Sequence, residues 1–235
     1  MSQSRAGTVV RAGVRGVGQT LITVGVVLLL FCVYELYITN LVTAREQDRL
    51  SEELRRSWTE PAARPGDPVA VAPVAVDLGT GIAVLRVPRL GEGWNAEPPV
   101  VVEGTSVEDL KSGPGRIVET GQPGELGNMV ISGHRTTYGA PFADIDQLQP
   151  GDAVVVETRD TWFTYRVTGS EIVAPSSVEV ALPVPGQPGV EPTQSLLTFT
   201  TCHPKYSARQ RLIVYSELEQ ELAKADGDPA ALTEL

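Results

Sequence analysis

The sequence predicts an all-β domain, an antiparallel barrel or sandwich, that follows one N-terminal membrane-spanning helix. From about residue 76 the chain is a succession of short β-branched and aliphatic runs, which glycine and proline separate at spacings of ten to twenty residues. Ahead of this region, residues 17–38 form a mostly apolar stretch of 22 residues with a single acid, Glu35. Together the two patterns indicate a compact β domain attached to a membrane.

The apolar stretch is long enough to cross a hydrocarbon core of about 30 Å. Residues 1–16 contain Arg5, Arg11 and Arg15 and no acid. Because basic flanks stay on the cytoplasmic side, we expect a cytoplasmic tail at 1–16, a single-pass anchor at 17–38 and an extracellular remainder at the cell membrane. A cleaved signal peptide is the competing interpretation, but this apolar core is longer than a signal-peptide core and no small-x-small cleavage site closes it.

Charge is divided unevenly along the chain. Residues 1–40 carry three basic residues and one acidic residue, which leaves 16 basic and 28 acidic residues for the rest. An outer domain this acidic argues against nucleic-acid binding, because that function needs a basic face.

Between the anchor and the domain, residues 39–75 are predicted to be an extracellular helix followed by a proline-rich spacer. Residues 41–58 are rich in Ala, Arg, Glu and Leu, and Pro61 would end the helix. Residues 61–75 contain four prolines, which favours a semi-extended segment. We expect this spacer to lift the domain off the bilayer.

Seven strands can be placed from runs of β-branched and aromatic residues. Residues 142–148 have the apolar spacing of one or two helical turns, and residues 150–152 form a turn into the next strand. The predicted strands cover residues 82–87, 100–102, 129–132, 153–157, 162–173, 196–201 and 212–216.

The most informative stretch is a predicted hairpin near the C-terminus. Cys202 ends a strand, Pro204 stops the pairing because it has no N–H, and a second strand begins at Arg211. A loop this short joins antiparallel neighbours, so we expect Cys202 and Arg211 at the same end of the hairpin. A guanidinium beside a thiol favours the thiolate and can bind a developing oxyanion. The other cysteine, Cys32, lies in the membrane span, so no intramolecular disulfide is expected.

Two histidines and a second arginine are further candidates for the site. His134 follows the strand at 129–132, in a polar loop, where an ordinary surface histidine is the alternative interpretation. His203 is adjacent to Cys202, and adjacent strand residues point to opposite faces, so we expect it to have only a supporting role. Arg209 lies in the connecting loop and is less well fixed than Arg211.

The hairpin resembles the sortase signature, in which Thr-Leu-x-Thr-Cys closes one strand and an arginine opens the next. Here the phrase is Thr-Phe-Thr-Thr-Cys, ending at Cys202, with Arg211 following, and Phe199 replaces the usual leucine. The His-Pro after the cysteine is similar to class E sortases of high-GC Gram-positive bacteria. Further matches are Leu-Arg-Val-Pro at 85–88, the run 124–135 that ends in Ser-Gly-His-Arg, the Gly-Asp turn at 151–152 and Tyr-Arg-Val at 165–167.

The resemblance covers about residues 82–216. It implies an eight-stranded sortase-type β-barrel with short helices, which we place at residues 76–218, with a C-terminal tail at 219–235.

The resemblance also implies a function, that of a cysteine transpeptidase. The Cys202 thiolate would attack the Thr–Gly bond of a Leu-Ala-x-Thr-Gly or Leu-Pro-x-Thr-Gly sorting signal on a secreted protein, and a peptidoglycan precursor amine would resolve the thioester. His134 would be the acid–base group, Arg211 would bind the substrate and the oxyanion, and Thr200 and Thr201 would line the substrate groove. No cofactor is implied, and two histidines with one outer cysteine form no metal-ligand set.

Two alternatives stay open. A pilin-polymerising sortase would use the same three residues with a lysine side chain as the second substrate, although residues 61–75 lack the Asp-Pro-Trp or similar plug of such enzymes. A non-catalytic, membrane-tethered barrel that binds peptides would keep the fold, and its Cys202 would resist alkylation.

Overall fold

The computed structural model describes residues 3–34, 39–59 and 76–233. It contains four α-helices and eight β-strands in these ranges, with short 3-10 turns between them. The helices are α1 (Gln3–Val33), α2 (Thr39–Thr59), α3 (Glu92–Ala96) and α4 (Val107–Ser112). The strands are β1 (Gly81–Arg86), β2 (Val100–Glu103), β3 (Gly115–Arg116), β4 (Gly127–Ser132), β5 (Ala153–Glu157), β6 (Thr161–Val173), β7 (Ser195–His203) and β8 (Gln210–Ala223).

The eight strands form a closed barrel in the order β1-β2-β3-β4-β7-β8-β6-β5, which confirms the predicted fold class. Six of its eight neighbouring pairs are antiparallel, but β2–β3 and β4–β7 are parallel, unlike the all-antiparallel sheet that was predicted. Parallel neighbours need crossover connections. The chain provides them through α4 in the first case and through β5 and β6 in the second.

The barrel interior is filled by alternate residues of each strand, as the pleat requires. Leu197 and Phe199 of β7 pack in this core beside Leu212 and Val214 of β8. The phenylalanine that replaces the usual leucine of the signature is therefore a core residue. The even-numbered residues of β7 therefore point to the outside of the barrel.

The apolar part of α1 agrees with a membrane anchor. Residues Gly13–Val33 are long and apolar enough to cross a membrane, and none of this stretch is buried against the rest of the described chain. The span begins four residues before the predicted start at residue 17, and residues 35–38 at its predicted end lie outside the described residues.

The helix α2 packs against the outside of the barrel, a contact that the sequence analysis did not predict. Leu50 and Leu54 are buried in a cluster with Val84, Val100 and Val102 of β1 and β2. The amphipathic spacing of these leucines is sufficient to cover the apolar outer face of two strands. The proline-rich spacer expected at residues 61–75 lies outside the described residues.

The last strand, β8, runs past the boundary expected at residue 218 and ends at Ala223. Leu222 pairs with Trp162 on β6, and the two apolar residues extend the sheet. The segment after the strand then returns to the barrel. Ala231 is buried and Leu232 is partly buried against Ala153, Val155 and Trp162, so this part of the predicted tail belongs to the folded body.

Candidate active site

Cys202 and Arg211 are paired across β7 and β8, as the sequence predicted. Leu212 and Val214 point into the core, so Arg211 lies on the outer face of the barrel wall. Cys202 has the same outward parity and is partly exposed. The Cys202 and Arg211 side chains therefore project from neighbouring positions on two adjacent strands, on the same face of the sheet.

His134 reaches the same end of the barrel through the neighbouring strand. β4 runs parallel to β7, and their register ends with Ser132 opposite Thr200. The pairing continues one residue further, because the Gly133 N–H donates to the Thr200 carbonyl at 3.2 Å. His134 is the next residue, two positions beyond the end of β4, so it leaves the strand at the same end of the barrel as Cys202. Neighbouring strands lie about 4.8 Å apart, so we expect the two side chains to be within reach of each other.

Gly133 lies between β4 and His134, where the packing leaves no room for a side chain. A Cβ atom at this position would lie 2.6 Å from the ring of Phe142, well inside van der Waals contact. Phe142 is fully buried, and its backbone N–H donates to the His134 carbonyl at 3.0 Å. The Ser-Gly-His phrase thus follows from close packing under the histidine.

The imidazole of His134 is partly buried, and the ring of Tyr138 lies against it with 4.9 Å between the ring centroids. Burial lowers the pKa of His134 below its ordinary value of 6.5, because the charged form loses hydration. The resting histidine is therefore mainly neutral at pH 7 and holds a proton less readily than a free imidazole.

The guanidinium of Arg211 is turned toward the β7–β8 loop. Its Nη1 donates to the carbonyls of Ala208 at 3.1 Å and Gln210 at 3.0 Å. Within the described ranges, Nε and Nη2 make no hydrogen bond, so both can donate to an oxygen of a ligand. Arg209 is exposed in the loop, with only a long contact of 3.4 Å from its Nε to the Ser207 hydroxyl.

The two threonines before Cys202 have different environments. Thr201 is 2% exposed, and its hydroxyl donates to the Gly133 carbonyl at 2.7 Å. In this position the Thr201 hydroxyl joins β7 to the residue before His134, and the groove-lining role implied by the resemblance stays a prediction. Thr200 is partly exposed and lies on the Cys202 face, where the predicted lining role can be met.

His203 lies on the opposite face from Cys202, as predicted, and its Nδ1 is 2.9 Å from Nη1 of Arg135. Sequence reasoning treated Arg135 as a polar loop residue and missed its burial. The only signal was its place directly after His134. No group of three or more His, Cys, Asp or Glu side chains that could hold a metal occurs among the residues whose positions are given.

Comparison with known proteins identifies the family of the chain. A family model described as Sortase domain matches residues 85–219. Sortase SrtE2 of Streptomyces coelicolor is 35% identical over 241 residues, which cover 98% of this chain and 91% of the relative. Sortase SrtE1 of the same organism is 32% identical over 225 residues and 93% of this chain, which spans only 60% of that relative's length.

Solved structures give the same result. Sortase E from Streptomyces avermitilis superposes with a TM-score of 0.60 at 42% identity, over 67% of this chain and 99% of that one. Sortase E1 from S. coelicolor, solved with a tripeptide in the active site, gives 0.60 at 34% identity, over 66% of this chain and 98% of that one. The family model and the relatives each cover most of this chain, and so it belongs to the sortase family of transpeptidases.

Proposed function

We propose that the protein is a membrane-anchored cysteine transpeptidase that cleaves a Leu-Ala-x-Thr-Gly or Leu-Pro-x-Thr-Gly sorting signal between Thr and Gly and joins the protein to a peptidoglycan amine. The observation that carries the proposal is the cross-strand pairing of Cys202 with Arg211 beside β4, the strand that His134 follows. An acid–base group, a nucleophile and an oxyanion donor in this order provide the groups needed for acyl transfer.

In the first half-reaction, neutral His134 takes the proton of the Cys202 thiol, and the resulting thiolate attacks the carbonyl carbon of the substrate threonine. The carbonyl oxygen becomes an oxyanion, which the free N–H groups of Arg211 can bind. The C–N bond to glycine then breaks, and His134 as imidazolium gives its proton to the leaving amine. The products are a Cys202 thioester and a released glycine peptide.

In the second half-reaction, a peptidoglycan precursor amine attacks the thioester carbonyl. Neutral His134 accepts the proton that the amine loses, and Arg211 again binds the oxyanion. The C–S bond breaks, the thiolate of Cys202 returns, and a new amide remains. His134 therefore alternates between two protonation states, as general acid–base catalysis by one imidazole requires.

A peptide substrate is supported by the tripeptide in the active site of the S. coelicolor sortase E1 structure. On the outer face, Thr200 lies two residues before Cys202 and is accessible to an extended peptide. Secreted proteins with C-terminal sorting signals are therefore the proposed first substrates.

The location we propose is the cell membrane of a Gram-positive cell, with the catalytic barrel outside and the N-terminus in the cytoplasm. The apolar part of α1 supplies the anchor, and Arg5, Arg11 and Arg15 at its N-terminal end set the orientation by the positive-inside rule. An extracellular barrel would meet both secreted proteins and cell-wall precursors.

The test uses the full chain in detergent, incubated with Leu-Ala-x-Thr-Gly and Leu-Pro-x-Thr-Gly peptides. Intact-protein mass spectrometry should detect a thioester on Cys202, and adding an amine should convert it to an amide product. A peptidoglycan stem-peptide amine and a pilin lysine peptide, compared as acceptors, separate the wall-anchoring and pilin-polymerising activities. Peptide binding with no adduct and no alkylation of Cys202 would instead indicate a non-catalytic barrel.

A further inference from the structure

Arg135, the residue after His134, has a buried charged side chain of which only 2% is exposed. A buried guanidinium is costly unless anions and acceptors surround it. A polar loop after β4 would leave this side chain exposed, so its burial beside the proposed acid–base group indicates a structural role.

The guanidinium of Arg135 connects three separate parts of the chain. Its Nη2 lies 2.8 Å from Oδ2 of Asp146, on the 3-10 turn Ile145–Gln147. Its Nη1 lies 2.9 Å from Nδ1 of His203 and 3.4 Å from the carbonyl oxygen of Cys202. The buried Nε has no hydrogen-bond partner in the described part of the chain, so the side chain is held by its two terminal nitrogens.

The contact with His203 fixes the state of that imidazole. A guanidinium can only donate, so Nδ1 of His203 must accept. His203 is then the neutral tautomer that carries its proton on Nε2, and it cannot take a proton at Nδ1 while the contact lasts. His203 thus acts as an acceptor that holds Arg135 against the end of β7.

We propose that Arg135 is a positioning residue that fixes Cys202 relative to His134 during transpeptidation, with His203 as its acceptor; this rests on the function proposed above. Arg135 is covalently next to His134 and contacts the carbonyl of Cys202 itself, so it joins the loop that carries the acid–base group to the strand that carries the nucleophile. A misplacement of about 1 Å between such groups can cost about a hundredfold in rate.

The central test replaces Arg135 in the full chain in detergent. Arg135→Lys keeps the charge but loses the fork of donors that reaches Asp146 and His203 together. We expect kcat for peptide cleavage to fall at least about tenfold, with KM within about threefold of the parent, because the substrate is not touched. An effect on KM alone, or a kcat within about twofold of the parent, would overturn the proposal.

Arg116 supplies the matched control. It is a second buried arginine, 3% exposed, whose Nε donates to Glu103 at 2.9 Å between β2 and β3, away from His134 and Cys202. Arg116→Lys should lower Tm to a similar degree but leave kcat within about twofold of the parent. An equal loss of kcat in both variants would mean that Arg135 acts only through general stability.

The second test leaves Arg135 in place, so it remains decisive if Arg135→Lys does not fold. His203→Asn places an amide oxygen near the position of Nδ1 and keeps an acceptor, whereas His203→Leu removes it. We expect His203→Asn to keep kcat within about threefold and His203→Leu to lose about tenfold or more. Equal kcat values for the two variants would overturn the role of His203.

Thioester formation by the parental protein distinguishes a failure of the positioning role from a failure of the proposed function. If the parent forms no thioester with either peptide, the proposed function fails. If the parent forms the thioester and the Arg135 and His203 variants behave like it, only the positioning role fails.

Discussion

Cys202 on β7 and Arg211 on β8 are direct cross-strand partners, so the register of one hairpin fixes the proposed nucleophile beside the proposed oxyanion donor. The Cα atoms of such antiparallel pairs lie about 4.5–5.5 Å apart. His134 lies in the loop that follows β4, the strand on the other side of β7. The proposed nucleophile and oxyanion donor are therefore held by the sheet itself, and rigid support of this kind is what precise transition-state contacts need.

The first prediction concerns the nucleophile. Cys202→Ala should abolish both the thioester adduct and peptide turnover, because the only other cysteine, Cys32, lies in the candidate membrane span. Cys32→Ala is the matched control and should keep full activity. Mass spectrometry of the intact protein checks both, and residual turnover in Cys202→Ala would exclude the assignment.

The second prediction concerns the pH response of His134. Burial lowers its pKa, so its NMR titration midpoint should lie below 6.5, and Tyr138→Asn should move the midpoint back toward 6.5 by exposing the ring. Asn tolerates the left-handed backbone at this position, where φ is 52°. A midpoint at or above 6.5 in the parent would contradict the prediction.

The lowered pKa of His134 also makes the free energy of unfolding depend on pH. The unfolded chain binds a proton at His134 near pH 6.5, while the folded chain binds it only at lower pH. Between the two pKa values the unfolded state holds more protons, so this residue makes the free energy of unfolding decrease as the pH falls through that interval. Above both values it has no effect. Urea unfolding at a series of pH values, with His134→Gln as the comparison, measures the difference.

The third prediction concerns α2. A protein that begins at Thr39 should keep the stability and activity of the full chain, whereas one that begins at Val76 should be several kcal/mol less stable. The shorter protein loses Leu50 and Leu54, each worth about 1.5–3 kcal/mol when buried. It also loses Gln47, which accepts from the Val100 N–H at 2.7 Å and donates to the Ser112 carbonyl at 2.7 Å.

Activity should fall with stability in the shorter protein. Oδ1 of Asn40 on α2 accepts from the backbone N–H of Gly139 at 2.9 Å, in the loop that follows His134. Loss of this contact should loosen the loop. Equal urea midpoints and equal turnover for the two truncated proteins would show that α2 contributes nothing to the barrel.

The fourth prediction tests the close packing beneath His134. Gly133→Ala would bring a Cβ to 2.6 Å from the Phe142 ring, so we expect a loss of about 1–3 kcal/mol and a lower kcat from the displaced histidine. Gly169→Ala on β6 is the control, because nothing lies within 4 Å of its added Cβ. A stable, fully active Gly133→Ala would mean that Phe142 moves aside without disturbing His134.

Much of the barrel could be predicted because β-branched runs and turn residues are local signals. The hairpin was predicted with Cys202 and Arg211 at the same end, because a loop this short joins antiparallel neighbours. β3 was missed because two residues, Gly115 and Arg116, form no recognisable pattern. The parallel pairing of β4 with β7 was missed because it joins residues about 68 positions apart, which only the closed barrel brings together.

Other differences arise where tertiary contacts override local preference. Leu218 and Leu222 have a helical spacing in a glutamate-rich run, yet pairing with β6 holds them in β8. Arg135 is hydrophilic and adjoins Thr136 and Thr137, so composition placed it on the surface. Its burial depends on Asp146 and His203, two partners that are distant in sequence and invisible to a local pattern.

The last prediction distinguishes charge from geometry at Arg211. If Arg211 only favoured the thiolate through its charge, Arg211→Lys would retain most activity. If its fork binds the substrate carbonyl and the developing oxyanion, the lysine variant should lose about a hundredfold or more in kcat/KM, as the removal of a single oxyanion donor does elsewhere. We expect the large loss, because Arg211 begins β8 and two loop carbonyls hold its Nη1 while Nε and Nη2 remain available. Arg209→Lys, in the exposed loop, is the control and should stay within a few-fold of the parent. A severe loss in Arg209→Lys with a mild one in Arg211→Lys would transfer the oxyanion role to the loop arginine.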